Sequence, residues 1–241
     1  MKILAIESSA TACSVALCED ERLLAQSFQN NGLTHSVTLL PMADQVLRGC
    51  GATLDDVDLI AVAAGPGSFT GLRIGVSAAK GLAWPGRKPC AAVSTLEAMA
   101  WTVAHTGMEI CAGMDARRNQ VYAARFRGTG DGLERLSDDG ALSLEELAAQ
   151  VKKSGNPQLL VGDGAGLCYT TLRELGLDVH MAPPHLRYQS AWGVARAALE
   201  QARAGTLTDA DGLVPRYHRL SQAERERLAR ARAQGAADNQ N

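Results

Sequence analysis

Two short segments carry residue types that can hold phosphate and magnesium: Glu7-Ser8-Ser9-Ala10-Thr11 and Asp115-Ala116-Arg117-Arg118-Asn119. Serine and threonine hydroxyls and turn amides donate to phosphate oxygens, and an acidic side chain can hold a magnesium-bound water. The same residue types also favour plain tight turns. A second pair of candidates is glycine-rich, Gly65-Pro66-Gly67-Ser68-Phe69-Thr70-Gly71 and Gly162-Asp163-Gly164-Ala165-Gly166. A glycine loop opening a helix presents free N–H groups to an anion, or it simply lets the helix pack closely on a sheet. The first is not a P-loop, because Leu72-Arg73 follows Gly71 where that motif requires Lys and then Ser or Thr. Phe69 is a different signal. A large apolar residue at an exposed loop tip points to a partner surface.

Metal and nucleophile chemistry find little support. His35 would need a second ligand three or four residues on, and those positions hold Thr38 and Leu39. His105, His180, His185 and His218 have no metal-site spacing either, so no metal is expected. Six cysteines (Cys13, Cys18, Cys50, Cys90, Cys111, Cys168) form no C-x-x-C pair and read as buried thiols in a reducing compartment. No nucleophile elbow or recognisable triad is present.

Net charge is -2, so no global field draws a polyanion, and any nucleic-acid contact is expected to be local or indirect. The apolar run at Ile3-Leu4-Ala5-Ile6 stops at Glu7, too short for a secretory signal, and no run reaches the length of a membrane span. A cytoplasmic protein without membrane contact is expected.

The elements that position these residues follow a repeated order. Lys2 to Ile6, Cys13 to Cys18 and Leu23 to Phe28 read as three strands. A helix from about Thr34 carries Val37, Leu40 and Leu47, with Pro41 set to kink it or delay its start, and ends at Cys50-Gly51. Leu59 to Ala64 is a continuous apolar run suited to a strand covered on both faces. The first glycine loop, a helix to Ala83, a strand at Cys90 to Val93 and a helix from Leu96 to Ala104 follow.

The second half repeats this with strands at Ile110 to Met114, Val121 to Phe126 and Leu133 to Leu136. A Ser143/Glu146 capping box then opens a helix to about Lys153, before a strand at Leu159 to Val161, the second glycine loop and a helix at Tyr169 to Leu175. The expected fold is therefore α/β, two-lobed and actin-like, the class of acetate and sugar kinases, Hsp70 and actin, with duplicated βββαβα units. Residues 1–105 form the expected N-terminal lobe and 106–217 the C-terminal lobe. Residues 218–241 read as a charged helix, Ser221 to Ala233, and a disordered tail.

The string Gly65-Pro66-Gly67-Ser68-Phe69-Thr70-Gly71-Leu72-Arg73-Ile74-Gly75 resembles the signature of the TsaB (YeaZ) family. Ile3 to Ser9, His35-Ser36 with Leu39-Leu40-Pro41-Met42, Asp115 to Tyr122, Gly162-Asp163-Gly164 and Pro215-Arg216-Tyr217 resemble it too, in order. The family more often has Asp at the position of Glu7, and the longer side chain weakens a phosphate and magnesium role for that turn.

This resemblance implies a non-catalytic subunit for threonylcarbamoyladenosine modification of tRNA next to the anticodon, acting as dimerisation partner and activator of TsaD. It also implies a ternary complex with the ATPase TsaE, a homodimer in isolation, and tRNA contact only through the complex. The implied partner surface comprises His35, Val37, Leu39, Leu40, Phe69, Thr70, Leu72, Arg73 and Val76. No cofactor is expected to bind tightly, although ATP or ADP with magnesium is compatible with the complex. Glu7, Ser8, Ser9, Gly65, Gly67, Asp115, Gly162 and Gly164 then mark a degenerate nucleotide site. Alternatives are an independent ATP-binding ATPase or kinase of the same fold and, last, a glycoprotease-like metallopeptidase, which would need a metal-binding histidine pair.

Overall fold

The computed structural model describes residues 1–117 and 119–218. The first sheet holds β1 (Lys2–Glu7), β2 (Cys13–Glu19), β3 (Arg22–Gln29), β4 (Leu59–Gly65) and β5 (Cys90–Ser94) in the order β3-β2-β1-β4-β5. Its first three strands are antiparallel neighbours, and β4 and β5 extend it in parallel. Helices α1 (His35–Gly49) and α2 (Phe69–Ala83) flank β4 in sequence, and α3 (Thr95–Trp101) follows β5.

The second sheet repeats the scheme with β6 (Glu109–Asp115), β7 (Gln120–Gly128), β8 (Leu133–Arg135), β9 (Gly140–Ser143), β10 (Gln158–Val161) and β11 (Val179–Met181). Its order is β11-β10-β6-β7-β8, with β9 also paired to β7. Helices α4 (Leu144–Ser154) and α5 (Ala165–Glu174) flank β10 in sequence. A short α6 (Pro184–Arg187) and a longer α7 (Ala191–Arg203) close the described chain.

The expected third strand of the second half, Leu133 to Leu136, is found as β8, and β9 is an additional strand that also pairs with β7. No apolar periodicity announces β9, β11 or α6, each of four residues or fewer. Of the two outcomes expected at Pro41, the late start does not occur: α1 begins at His35 and runs through the proline. The N–H that proline lacks would face the Val37 carbonyl on the exposed side of the helix, where water can substitute. The expected C-terminal helix and tail lie outside the described residues.

Period-two alternation explains the layers. Leu4 and Ile6 join Val15, Leu17, Ile60 and Val62 under Leu39, Met42 and Val46 of α1 and Val76 and Ala79 of α2. Ile3 and Ala5, one residue out of step, join Leu59, Ala61 and Val93 under α3 and α7. Both faces are covered, so β1 and β4 read as continuous apolar runs. α3 is shared. Ala98 and Trp101 pack with the first sheet, whereas Leu96, Met99 and Val103 pack with Ile110, Ala112 and Phe126 of the second. α7 returns to the first sheet, with Val194, Ala198 and Leu199 in its core, although it follows the second sheet in sequence.

One buried carboxylate ties the second sheet to α4. Glu109, at the start of β6, accepts from Ser154 at 2.6 Å, Asn156 at 2.7 Å, Gln158 at 2.8 Å and Arg127 at 3.1 Å, and pairs with the largely buried Arg125. Burial alone would raise its carboxyl, but the donors Ser154, Gln158, Asn156 and Arg127 outweigh it and hold the group well below the usual carboxylate range. A depressed acid stabilises the fold above its ordinary pKa of 4.5, and that contribution disappears as pH falls below it. Glu109→Gln should lower stability at pH 7 by about 3 kcal/mol, because it leaves the Arg125 charge buried without its partner. Denaturant titrations at pH 7 and below pH 4 should show the gap to the parent protein closing at the acid end.

Candidate functional site

The two strand-end turns meet across a cleft of about 460 Å³. Ser9, Ala10 and Thr11 line one side, Met114, Asp115, Ala116 and Arg117 the other, with Gly67-Ser68-Phe69, Tyr122 and Asp163 completing the wall. The β6–β7 turn is tight because Arg117 and Asn119 both adopt positive φ, 62° and 56°, and Asp115 Oδ1 accepts the Arg117 N–H at 2.6 Å.

The other proposed nucleotide residues do not line this cleft. Glu7 and Ser8 are fully buried beneath it, and the glycines are consumed by packing. A Cβ on Gly67 would fall 2.5 Å from the Ser9 carbonyl oxygen, one on Gly71 2.1 Å from that of Ser8, and one on Gly75 2.3 Å from Ser8 Oγ. Gly71 and Gly75, four apart, leave a bare stripe along α2, and Gly67 just ahead of the helix continues it, so that the turn after β1 rests there. Ser8 Oγ donates to the Gly71 carbonyl at 2.9 Å, and the Ser68 N–H donates to the Ser9 carbonyl at 2.7 Å. Gly65 lies against the Arg216 carbonyl in the same way, and Gly162 and Gly164 lie against the end of β6.

Three carboxylates lie in or under the cleft. Glu7 is pushed up to about 7, by burial first and by the charge of Asp163, while the hydrogen bond that the Ser9 N–H donates to it at 2.6 Å pulls the other way. Asp163 is likewise raised by burial, against a 2.6 Å hydrogen bond from Gln189. Ser9 Oγ and Glu7 Oε2 are buried without hydrogen-bond partners. Among the described residues, no three His, Cys, Asp or Glu are grouped so as to hold a metal ion.

The proposed partner residues divide sharply. Val37 is 70% exposed and Leu40 52%, and Thr70 and Arg73 are also at the surface. Leu39, Leu72 and Val76 are buried in the chain's own core, because they fall on the inner faces of α1 and α2, and they offer no surface to a partner. His35 is half-buried, and its Nε2–H donates to the Ala10 carbonyl at 2.7 Å, tying α1 to the turn after β1. Phe69 is not the bare tip expected from the sequence. Its ring stacks on Tyr217 at 4.4 Å, and Arg73 Nε donates to the Tyr217 hydroxyl at 3.0 Å.

Tyr217 was not among the proposed residues, because no periodicity links positions so far apart. Leu33, 58% exposed, was missed too, although its four-residue spacing from Val37 was available.

The quoted motifs thus converge on one place: the turn after β1, the stripe of α2, the start of α1 and the segment at Arg216-Tyr217. The family model "TsaD: tRNA N6-adenosine threonylcarbamoyltransferase" matches residues 27–225. The "tRNA threonylcarbamoyladenosine biosynthesis protein TsaB" of Bacillus subtilis is 33% identical over 93% of this chain and 96% of its own length. The chain belongs to the TsaB family. The Escherichia coli TsaB is 39% identical over 68% of this chain and 72% of its own. The solved structure of YeaZ from Pseudomonas aeruginosa superposes with a TM-score of 0.77 at 28% identity, covering 90% of this chain and 99% of that one. The fold is a mixed α/β arrangement of two sheets with a repeated element order, and the match to the transferase model is consistent with paralogy.

Two measurements test the site. Gly71→Ala should cost about 2 kcal/mol or more, since the Ser8 backbone cannot yield, whereas Gly81→Ala in the same helix, with nothing within 4 Å, should stabilise by about 0.5 to 1 kcal/mol. Glu7 carries the opposite sign to Glu109. A carboxyl raised from 4.5 to about 7 leaves the fold most stable below pH 4.5 and weakens it as pH climbs through 7. Glu7→Gln, which keeps an acceptor for the Ser9 N–H, should flatten the melting temperature between pH 5 and pH 8, roughly 3 kcal/mol of stability change in the parent protein.

Proposed function

We propose that this TsaB-family chain is a non-catalytic subunit for threonylcarbamoyladenosine formation in tRNA, binding and activating the paralogous transferase TsaD. Family membership supports the pathway. The observation that carries the mode of action is the exposed apolar pair Val37 and Leu40 on the outer face of α1, with exposed Leu33 just ahead of the helix. The opposite face of that helix is committed to the core through Leu39, Met42 and Val46. An amphipathic surface helix turns polar residues outward, and one that instead exposes large apolar side chains on its outer face is built to be covered.

α1 packs beside α2, where Thr70 and Arg73 supply a polar border to that patch. The cleft supports the non-catalytic half of this reading. Its glycines hold backbone rather than phosphate, and Glu7 is fully buried beneath it.

The same reading places the ATPase TsaE in a ternary complex and lets the isolated chain pair with itself through α1 and α2. ATP or ADP with magnesium would be held by the complex rather than by this subunit alone. With a net charge of -2, the chain would reach tRNA through its partner.

Coexpression with the cognate transferase followed by size-exclusion chromatography should give one co-eluting species, and a tRNA modification assay should fail without this subunit and recover on its return. The double variant Val37→Asp/Leu40→Asp should lose co-elution and activation together while its stability stays within about 1 kcal/mol of the parent. Separate elution of the unaltered proteins would end the proposal.

A further inference from the structure

A second cavity, of about 320 Å³, lies at the far end of α2 from the cleft, lined by Trp84, Arg87, Lys88, Asp209, Ala210 and Asp211. Helix α2 has 15 residues, so roughly 22 Å of helix separates this end from Phe69. Its walls are fixed by short-range bonds. The Lys88 N–H donates to the Ala83 carbonyl at 3.0 Å and the Arg87 N–H to that of Trp84 at 3.2 Å, which closes the turn after α2. Cys90 and Thr208 exchange backbone hydrogen bonds at 2.7 and 2.9 Å, and these clamp the opposite wall to β5. Asp209 Oδ1 accepts the Gly212 N–H at 2.9 Å. Lys80 and Lys88 each spend one donor on a carbonyl, that of Asp211 at 3.3 Å and that of Val57 at 2.8 Å.

Three groups are left open to solvent. Trp84 is 64% exposed, and its ring stacks on no other ring among the described residues. The exposed Arg87 guanidinium and Asp211 carboxylate make no side-chain hydrogen bond or ion pair among the described residues, although both line the one cavity. Lys80 and Lys88 keep spare ammonium donors beside them, so three cations meet the two carboxylates Asp209 and Asp211 here, in a chain whose net charge is -2. A nucleotide unit uses all three open groups: the base stacks on the indole, its amino group donates to the Asp211 carboxylate, and its phosphate meets Arg87. A peptide cation laid on Trp84 would use the indole and the carboxylate but would face Arg87 as a like charge. We propose that this pocket binds one nucleotide of a single-stranded RNA and prefers a base with an exocyclic amino group. The choice of RNA rests on the reading of the chain as a tRNA-modification subunit, and the contact is a local one added to what the partner supplies.

The chain has three tryptophans, so the indole N–H region in the NMR spectrum of the isotope-labelled full-length protein holds three cross-peaks, and Trp84→Phe identifies the one that reports on this pocket. At low salt that peak should shift saturably with a cytidine hexamer, half-maximally at or below about 1 mM. The uridine hexamer, which lacks the amino group, should bind at least about threefold more weakly, and cytidine monophosphate more weakly than the cytidine hexamer. With the amides of the 84–88 turn as reporters, Trp84→Ala should weaken the cytidine hexamer at least about fivefold. Arg87→Gln should reduce the slope of log affinity against log salt by about 0.7, and Asp211→Asn should remove the preference for cytidine. All three side chains are exposed, and Trp84→Ala should still co-elute with the cognate transferase. No saturable shift with either hexamer, a mononucleotide that binds as tightly as the hexamer, or unchanged affinity in Trp84→Ala would each overturn the assignment. Loss of co-elution in Trp84→Ala alone would give the patch to the protein partner and overturn it as well. The titrations use the chain by itself, so their failure is separate from a failure of the unaltered proteins to co-elute.

Discussion

The contact on which one side of the first sheet depends is between a helix and a turn, and the glycines at the start of α2 make it possible. Side chains at positions 67, 71 and 75 would each place a Cβ within about 2.5 Å of Ser8 or Ser9 atoms. With hydrogens there instead, the turn after β1 rests on the helix backbone. Ser8 and Ser68 then close hydrogen bonds across the contact. The position of α2 fixes its neighbours: Phe69 is presented to Tyr217, Arg73 reaches the tyrosine hydroxyl, and α1 is held to the same turn through His35. The Arg216 N–H donates to the Ala64 carbonyl at 2.6 Å, so the chain's last described residues close over the end of β4.

That contact organises one side of the first sheet, and α3 with α7 organises the other. A Cβ on Gly193 would meet the Ala98 carbonyl oxygen at 1.9 Å, so these two helices also approach at backbone distance. Because α3 belongs to the cores of both sheets, its placement sets how the sheets meet, and hence the width of the cleft between the two strand-end turns. Glycines at the lobe junction and under the turn thus serve one geometric purpose, which is to bring backbones together without intervening side chains.

Much of this was legible in the sequence because it follows local rules. The strand at Leu59 reads from an unbroken apolar run, the Ser143/Glu146 capping box reads from spacing, and the duplicated order reads from both together. What escaped depends on distance. Whether Leu39 or Leu40 faces inward is a rotation of one residue about α1, which an apolar run marks poorly. The cover over Phe69 comes from Tyr217, a partner from a separate part of the chain. α7 escaped for another reason. Its buried face is mostly alanine, Ala191, Ala195 and Ala198, and a small-residue face gives little hydrophobic periodicity although it packs closely.

The acids in and under the cleft are engaged by the protein's own groups. A carboxylate that orders a magnesium-bound water must be ionised and accessible to it. Glu7 is neither at moderately acidic pH, since burial raises its carboxyl to about 7 and none of its surface is exposed. Asp163 is bound by Gln189, and Asp115 is occupied in holding the Arg117 turn. Each acid has been taken into the packing or the turn geometry that joins the two halves. The turn that buries Glu7 also holds α1 through the hydrogen bond from His35 to Ala10, so the packing around these acids bears on where α1 presents Val37 and Leu40.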